Sequence, residues 1–89
     1  MRSPFAITVL SIVLFLPVSN TLADSCYDLW YQRNLIYAQN GYCFSSSLAR
    51  RTFSEFSCWT NNPQFTLGEQ RRINQIKAEE RRLGCKVNQ

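Results

Sequence analysis

Apolar residues form one continuous run near the start of the chain and recur at helical spacing in three later segments. The run covers residues 5–16 and is almost unbroken. Beyond it, apolar positions recur at intervals of three and four in segments 26–40, 46–56 and 67–83. This pattern predicts an all-α fold of three short helices.

Residues 1–23 have the organisation of a cleavable secretory signal peptide. Arg2 supplies the positive start, Pro17 ends the apolar run, and small residues precede a predicted cleavage after Ala23. The run has about a dozen residues, whereas a membrane-spanning helix needs roughly twenty. We therefore predict export, no membrane anchor after cleavage, and a single domain at residues 24–89.

Capping residues mark the ends of the first and last predicted helices. Ser25 is the expected N-cap of the first, and Gly41 follows its end. Thr66 and Glu69 have the spacing of a capping box at the start of the last helix, and Gly84 follows its end. These signals predict where both helices begin and stop.

Four cysteines lie in the predicted mature domain, which has 66 residues (89 − 23) and too small a core to be stable without cross-links. A helix rising about 1.5 Å per residue separates Cys26 from Cys43 by some 20 Å, beyond the roughly 7 Å reach of a disulfide. That excludes Cys26–Cys43, and with it a bond between the other two cysteines. We favour Cys26–Cys85 with Cys43–Cys58, because an antiparallel last helix returns Cys85 to the start of the first. The crossed pairing, Cys26–Cys58 with Cys43–Cys85, stays open.

The segment CYDLWYQRNLIYAQNGYCF, residues 26–44, resembles the YARHG domain, a family of small extracytoplasmic bacterial modules named after a motif at the end of the first helix. Here the motif reads YAQNG, so Gln39 and Asn40 stand where the family has arginine and histidine. The resemblance continues through Arg33, Asn34, Phe53, Glu69, Ile76, Glu80, Gly84 and Cys85. It implies a shared small fold and a periplasmic or secreted location, and it supplies no activity.

Composition argues against catalysis. The sequence contains no histidine, which is the commonest general base at neutral pH and a usual zinc ligand. Glu79 and Glu80 are adjacent, so on a helix their side chains point about 100° apart and do not converge as an acid–base pair. We predict a protein that is not an enzyme and that binds neither a metal nor a cofactor.

Arg33 and Asn34 are the most suggestive polar pair. In so small a domain the first helix must bury much of its circumference, and a buried guanidinium needs partners for its five donors. Glu69, Glu80 or carbonyls at a helix end are the candidate partners. We predict a structural role for the pair; the alternative is that Arg33 binds the carboxylate of a ligand.

The possible binding surface consists of aromatic and basic side chains, namely Tyr31, Trp59, Arg50, Arg51, Arg71 and Arg72. Tyr31 is predicted to be exposed. Trp59 is predicted to plug the edge of the core, and the alternative is contact with a partner. After cleavage nine basic residues face six acidic ones, an excess too mild for nucleic acid to be the partner of an exported protein. The arginines form either a solvated face or a surface attracted to anionic envelope polymers or phospholipid headgroups.

These features predict an exported, non-catalytic binding module that contacts an envelope protein or a wall component. One alternative is a secreted inhibitor or effector, which should present an apolar loop tip at residues 61–65. Another is a weak hydrolase, which should have a concave pocket holding two convergent acids. The sequence leaves the identity of the partner and the oligomeric state open.

Overall fold

The computed structural model describes residues 22–86 as three helices joined by loops. The helices are α1 (Leu22–Gln39), α2 (Ser47–Thr52) and α3 (Leu67–Leu83). Among these residues the only β-type pairing is an isolated bridge between Tyr42 and Thr60. The fold is all-α, as predicted. The predicted signal peptide lies almost wholly outside the described residues.

Helices α1 and α3 pack antiparallel. At one end of the pair, a disulfide joins Cys26 to Cys85. At the other end, Asn40 donates from Nδ2 to the Oε2 atom of Glu69 at 3.1 Å. None of the helices in the described part of the chain combines the length and the apolarity needed to cross a bilayer.

Two disulfides cross-link the described domain, and they are the pairing favoured from an antiparallel packing of the last helix on the first. Cys26 and Cys85 have Cα atoms 5.5 Å apart, and their bond ties the start of α1 to the residues after α3. Cys43 and Cys58 have Cα atoms 4.9 Å apart, and their bond ties the chain after α1 to the chain after α2. All three helices are therefore connected covalently at their ends.

The hydrophobic core cluster joins α1 to α2 and to the residue that follows α2. Its buried members are Trp30, Ala38, Ala49 and Phe53, with Leu35 and Phe44 packed against them. The ring of Phe53 lies 5.8 Å from that of Trp30 and 5.2 Å from that of Phe44, measured between centroids. Helix α3 contributes the buried residues Ile73 and Ile76. Trp30 and Phe53 are the two aromatic residues among the buried members of the core.

The capping signals of α3 are confirmed. Thr66 Oγ1 accepts from the backbone of Glu69, and the Glu69 carboxylate accepts from the backbone of Thr66. Gly84 adopts the left-handed conformation after the last turn, with φ 70°. Both ends of α3 are thus determined by contacts within a few residues.

The predicted start of α1 and end of α2 were wrong. Ser25 lies inside α1, because the helix already includes Leu22, with Asp24 as the acid of its first turn. Helix α2 stops at Thr52 instead of continuing to residue 56. Phe53 leaves the helical conformation at φ −110° and ψ 29° while its ring stays in the core, so tertiary packing ends the helix.

Candidate binding site around Trp59

The candidate site is built on the corner that ends α1. Gly41 has φ 80°, a conformation that costs glycine little. Its N–H donates to Ala38 O at 3.0 Å, and the N–H of Tyr42 donates to Tyr37 O at 3.1 Å. These two bonds form a Schellman motif, and the rings of Tyr37 and Tyr42 meet edge to face beside it, 5.4 Å apart. The corner turns the chain sharply away from the helix axis.

The loop after α2 runs alongside this corner. Trp59 N and Thr60 N both donate to Gly41 O, at 2.9 and 3.1 Å, and Cys43 N donates to Thr60 O at 2.9 Å. The Cys43–Cys58 disulfide links the same two segments one residue away from Trp59. Three backbone hydrogen bonds and a covalent bond therefore hold the backbone of Trp59 in place.

Trp59 lies on the surface and does not plug the core as predicted. The residue is 69% exposed. A Cβ on Gly41 would overlap three atoms of its indole ring, Cδ2, Cε2 and Cζ2. The indole therefore packs closely against Gly41, at a position where a side chain would collide with it, while most of the surface of Trp59 stays exposed. The rings of Trp30 and Phe53 occupy the core instead.

The indole borders a cleft of about 410 Å³ between the end of α1 and the loop. The lining residues are Gln39, Asn40, Trp59, Thr60, Asn62 and Gln64. Four of these are carboxamides, one is a hydroxyl, and none is charged. Sequence reasoning missed the amides as a group. The sequence feature that could have identified them is the amide-rich composition of segments 39–40 and 61–64. No local sequence pattern, however, indicates that these two segments meet in the fold.

Asn40 is held firmly at the rim of this cleft. Its Nδ2 donates to Ile36 O at 2.8 Å and to the Glu69 carboxylate at 3.1 Å, which leaves its Oδ1 as an acceptor. The backbone N–H of Thr66, and after it the amide of Asn40, lower the pKa of Glu69 below its ordinary value of 4.5. Glu69 therefore stays ionised at neutral pH and anchors Asn40.

Arg33 and Glu80 form a buried ion pair away from the cleft. Arg33 Nε donates to Glu80 Oε1 at 2.8 Å, and Arg33 Nη2 donates to Glu80 Oε2 at 2.9 Å. The two residues are only 5% and 8% exposed. Lys77 and Arg81 line a shallow groove of about 240 Å³ over the pair. Because Glu80 already occupies the guanidinium, the geometry favours a structural role for Arg33 over binding of a ligand carboxylate.

Asn34 is completely buried beside the core. Its Nδ2 donates to the carbonyl of Trp30, one turn earlier in α1, at 2.9 Å. Its Oδ1 is buried and has no hydrogen-bond partner in the described part of the chain. Among residues 22–86, the hydrogen bond of this side chain stays within its own helix and none reaches another element.

The other predicted binding residues do not join Trp59. Tyr31 is 39% exposed and stacks on Phe53 at 5.4 Å. Arg72 donates to Gln32 Oε1 at 2.6 Å, across α3 and α1. Arg50 lines a separate aromatic groove with Tyr42, Phe44, Phe53 and Phe56. Arg51 and Arg71 are exposed. None of these four predicted arginines lines the cleft of Trp59, so the cleft is uncharged although the domain is basic.

Residues 22–86 contain no group of three or more histidine, cysteine or acidic side chains that could hold a metal ion.

The chain matches a known protein family. The family model described as "YARHG domain" matches residues 14–81, which is most of the chain. The match includes all of α1 and α2 and most of α3. No curated protein matches the chain, and no solved structure matches it.

Proposed function

The chain belongs to the YARHG domain family, whose members are small extracellular domains, and we propose that it is an exported, non-catalytic binding module of the bacterial cell envelope. Its partner is an envelope protein or a component of the wall.

The observation that carries this proposal is the placement of Trp59. A large apolar ring that is 69% exposed adds nothing to the core, yet three backbone hydrogen bonds and a disulfide hold its segment in position. Exposed aromatic side chains at clefts are enriched at recognition sites, where their rigidity lowers the entropic cost of binding. The uncharged amides around the ring supply hydrogen bonds for a bound partner.

The acidic residues of α3 support binding over catalysis. Glu69 completes the capping box, Glu79 pairs with Arg82 on the surface, and Glu80 pairs with Arg33 in the interior. Each carboxylate of this helix is therefore engaged within the fold. The cleft beside Trp59 contains no acid, so the two convergent carboxylates that a weak hydrolase requires are not found there.

The loop at residues 61–65 lacks the apolar tip expected of an inhibitor. Asn61 and Asn62 are its exposed residues at the turn. Phe65 is half-buried, with its ring 4.9 Å from that of Tyr37. The only large apolar side chain of this loop thus packs inward, and the loop presents amides instead.

The test is retention of the protein by its own cell envelope. Protein purified from the extracytoplasmic fraction, with both disulfides intact, is incubated separately with isolated wall sacculi and with immobilised, detergent-solubilised envelope proteins. Retention is measured at about 0.15 M and at about 0.5 M salt, because attraction through exposed arginines is screened at the higher ionic strength. Reduced protein serves as the matched control.

We expect at least one fraction to retain the oxidised protein at both salt concentrations and to retain the reduced protein less. No retention by either fraction would refute the proposal. Retention that disappears at the higher salt would show attraction through the arginines in place of recognition at the cleft. Release of soluble wall fragments would identify the hydrolase alternative, and inhibition of an extracellular hydrolase would identify the inhibitor.

A further inference from the structure

We propose that the cleft beside Trp59 binds a neutral sugar ring of a glycan chain, with the sugar stacked on the exposed indole. This inference rests on the proposed binding function and names the chemical class of the ligand.

The first argument is the presentation of the indole. The indole of Trp59 packs against Gly41, where the absence of a side chain allows the ring to approach closely. Trp59 also borders the cleft, and 69% of the residue is exposed. A flat apolar surface held in this way matches the C–H face of a pyranose, which is also flat and apolar. Because the backbone on both sides is already hydrogen-bonded, stacking requires little ordering of the protein.

The second argument is the chemistry of the rim. A sugar hydroxyl both donates and accepts hydrogen bonds, and so does a carboxamide. Gln39, Asn62 and Gln64 carry such groups at exposed positions around the cleft. Asn40 is fixed through its Nδ2 and offers its Oδ1 as an acceptor. The rim therefore complements the hydroxyl edge of a sugar whose apolar face lies on Trp59.

The third argument is charge. The domain has an excess of basic residues, yet no charged side chain lines this cleft. A site for a phosphorylated or uronic sugar would contain at least one arginine or lysine to pair with the anion. An uncharged rim favours a neutral ring, and a cleft of about 410 Å³ lies within the usual size range of small-ligand sites.

The experiment uses the disulfide-intact protein from the extracytoplasmic fraction. Binding is measured by tryptophan fluorescence and by calorimetry with two neutral probes, the trimer of N-acetylglucosamine and cellotriose. A trimer of galacturonate is the charged probe, and decaproline is the peptide probe. Trp30 is completely buried and Trp59 is exposed, so a change in emission on binding reports on Trp59.

The decisive variant is W59A, and the matched control is L67A, which removes a large apolar side chain of nearly equal exposure, 68% against 69%, that does not line the cleft. We expect saturable binding of at least one neutral trimer, weakened by about tenfold or more in W59A and unchanged in L67A. The exposed-amide variants Q39A and Q64A leave the core intact and are expected to weaken binding severalfold, which keeps the test decisive if W59A does not fold.

The inference is refuted if neither neutral trimer binds saturably, if W59A and both amide variants bind as wild type does, or if galacturonate or decaproline binds more tightly than both neutral trimers. If neither neutral trimer binds but the envelope fractions still retain the protein, this inference is refuted and the proposed function is not. Loss of retention by both envelope fractions refutes the proposed function itself.

Discussion

Breaking the buried ion pair by the substitution E80Q is expected to destabilise the domain severely. The change leaves the Arg33 guanidinium at 5% exposure without its counter-charge. Removing one partner of a buried pair typically costs about 3–5 kcal/mol, because the remaining charge stays desolvated. At about 0.05–0.15 kcal/mol per residue, a domain of this size has a total stability of roughly 3–10 kcal/mol. The substitution therefore removes about 30% or more of the free energy of unfolding.

The surface pair formed by Glu79 and Arg82 provides the matched control, because it has the same chemistry one residue away on α3. Its side chains are 41% and 67% exposed, so water screens the interaction and E79Q should change stability little. Stability is measured by urea denaturation of the oxidised proteins, followed by near-ultraviolet circular dichroism of the buried aromatic core.

The double variant R33L/E80L separates charge pairing from packing. Replacing both ions of a buried pair with apolar residues is often neutral or stabilising, so the double variant should be much more stable than E80Q. The reasoning is refuted if E80Q costs no more than E79Q. It is also refuted if the double variant is as unstable as the sum of its two single substitutions.

Three further perturbations test the cross-link, the corner and the cap. Replacing Cys26 and Cys85 with serine opens a loop with a sequence separation of 59, so the loop-entropy model predicts a loss of about 4 kcal/mol, measured by urea denaturation. G41A places a side chain at φ 80°, which costs about 1–2 kcal/mol, and it also displaces the indole of Trp59, so we expect lower stability and altered tryptophan emission. The folded-state pKa of Glu69 is lowered, so its stabilisation is complete above its ordinary pKa of 4.5 and is lost as the pH falls through the folded-state value. The melting temperature of E69Q should therefore be below that of wild type at pH 7, and the difference should shrink in acid.

Each of these three predictions has a control or a contradicting result. The serine substitutions are compared with wild type under reducing conditions, where an unchanged difference would contradict the cross-link argument. Gly68 lies in the first turn of α3 with only a Thr66 side-chain atom near, at 4.0 Å, so G68A should be tolerated where G41A is not. A melting difference for E69Q that is constant from pH 7 to about pH 3 would contradict the assigned role of its carboxylate.

Features that depend on neighbours in the chain were predictable. The capping box of Thr66 and Glu69 closes within four residues, so its sequence pattern sufficed to locate the start of α3. The exclusion of Cys26–Cys43 needed only the rise of a helix, and the observed disulfides agree with it. The family was also recognisable from the segment that forms α1 and the corner after it.

Features that depend on competition for the core were not predictable in the same way. Trp59 was expected to plug the core because of its size, but the rings of Trp30 and Phe53 occupy that space. Helix α2 ends early because burial of Phe53 outweighs continuation of the helix. In both cases several large apolar residues could have filled the small interior. Which of them are buried depends on how they pack together.

The sequence by itself determined the kind of protein: a small helical domain, its family, both ends of α3 and a restricted choice of disulfides. These follow from local geometry, because a cap or a helical repeat involves residues a few positions apart. The tertiary structure determined where the candidate binding site lies and which residues line it. The cleft exists because segments 39–40 and 59–64 are brought together by hydrogen bonds to Gly41 and by the Cys43–Cys58 disulfide, and no local pattern encodes that meeting.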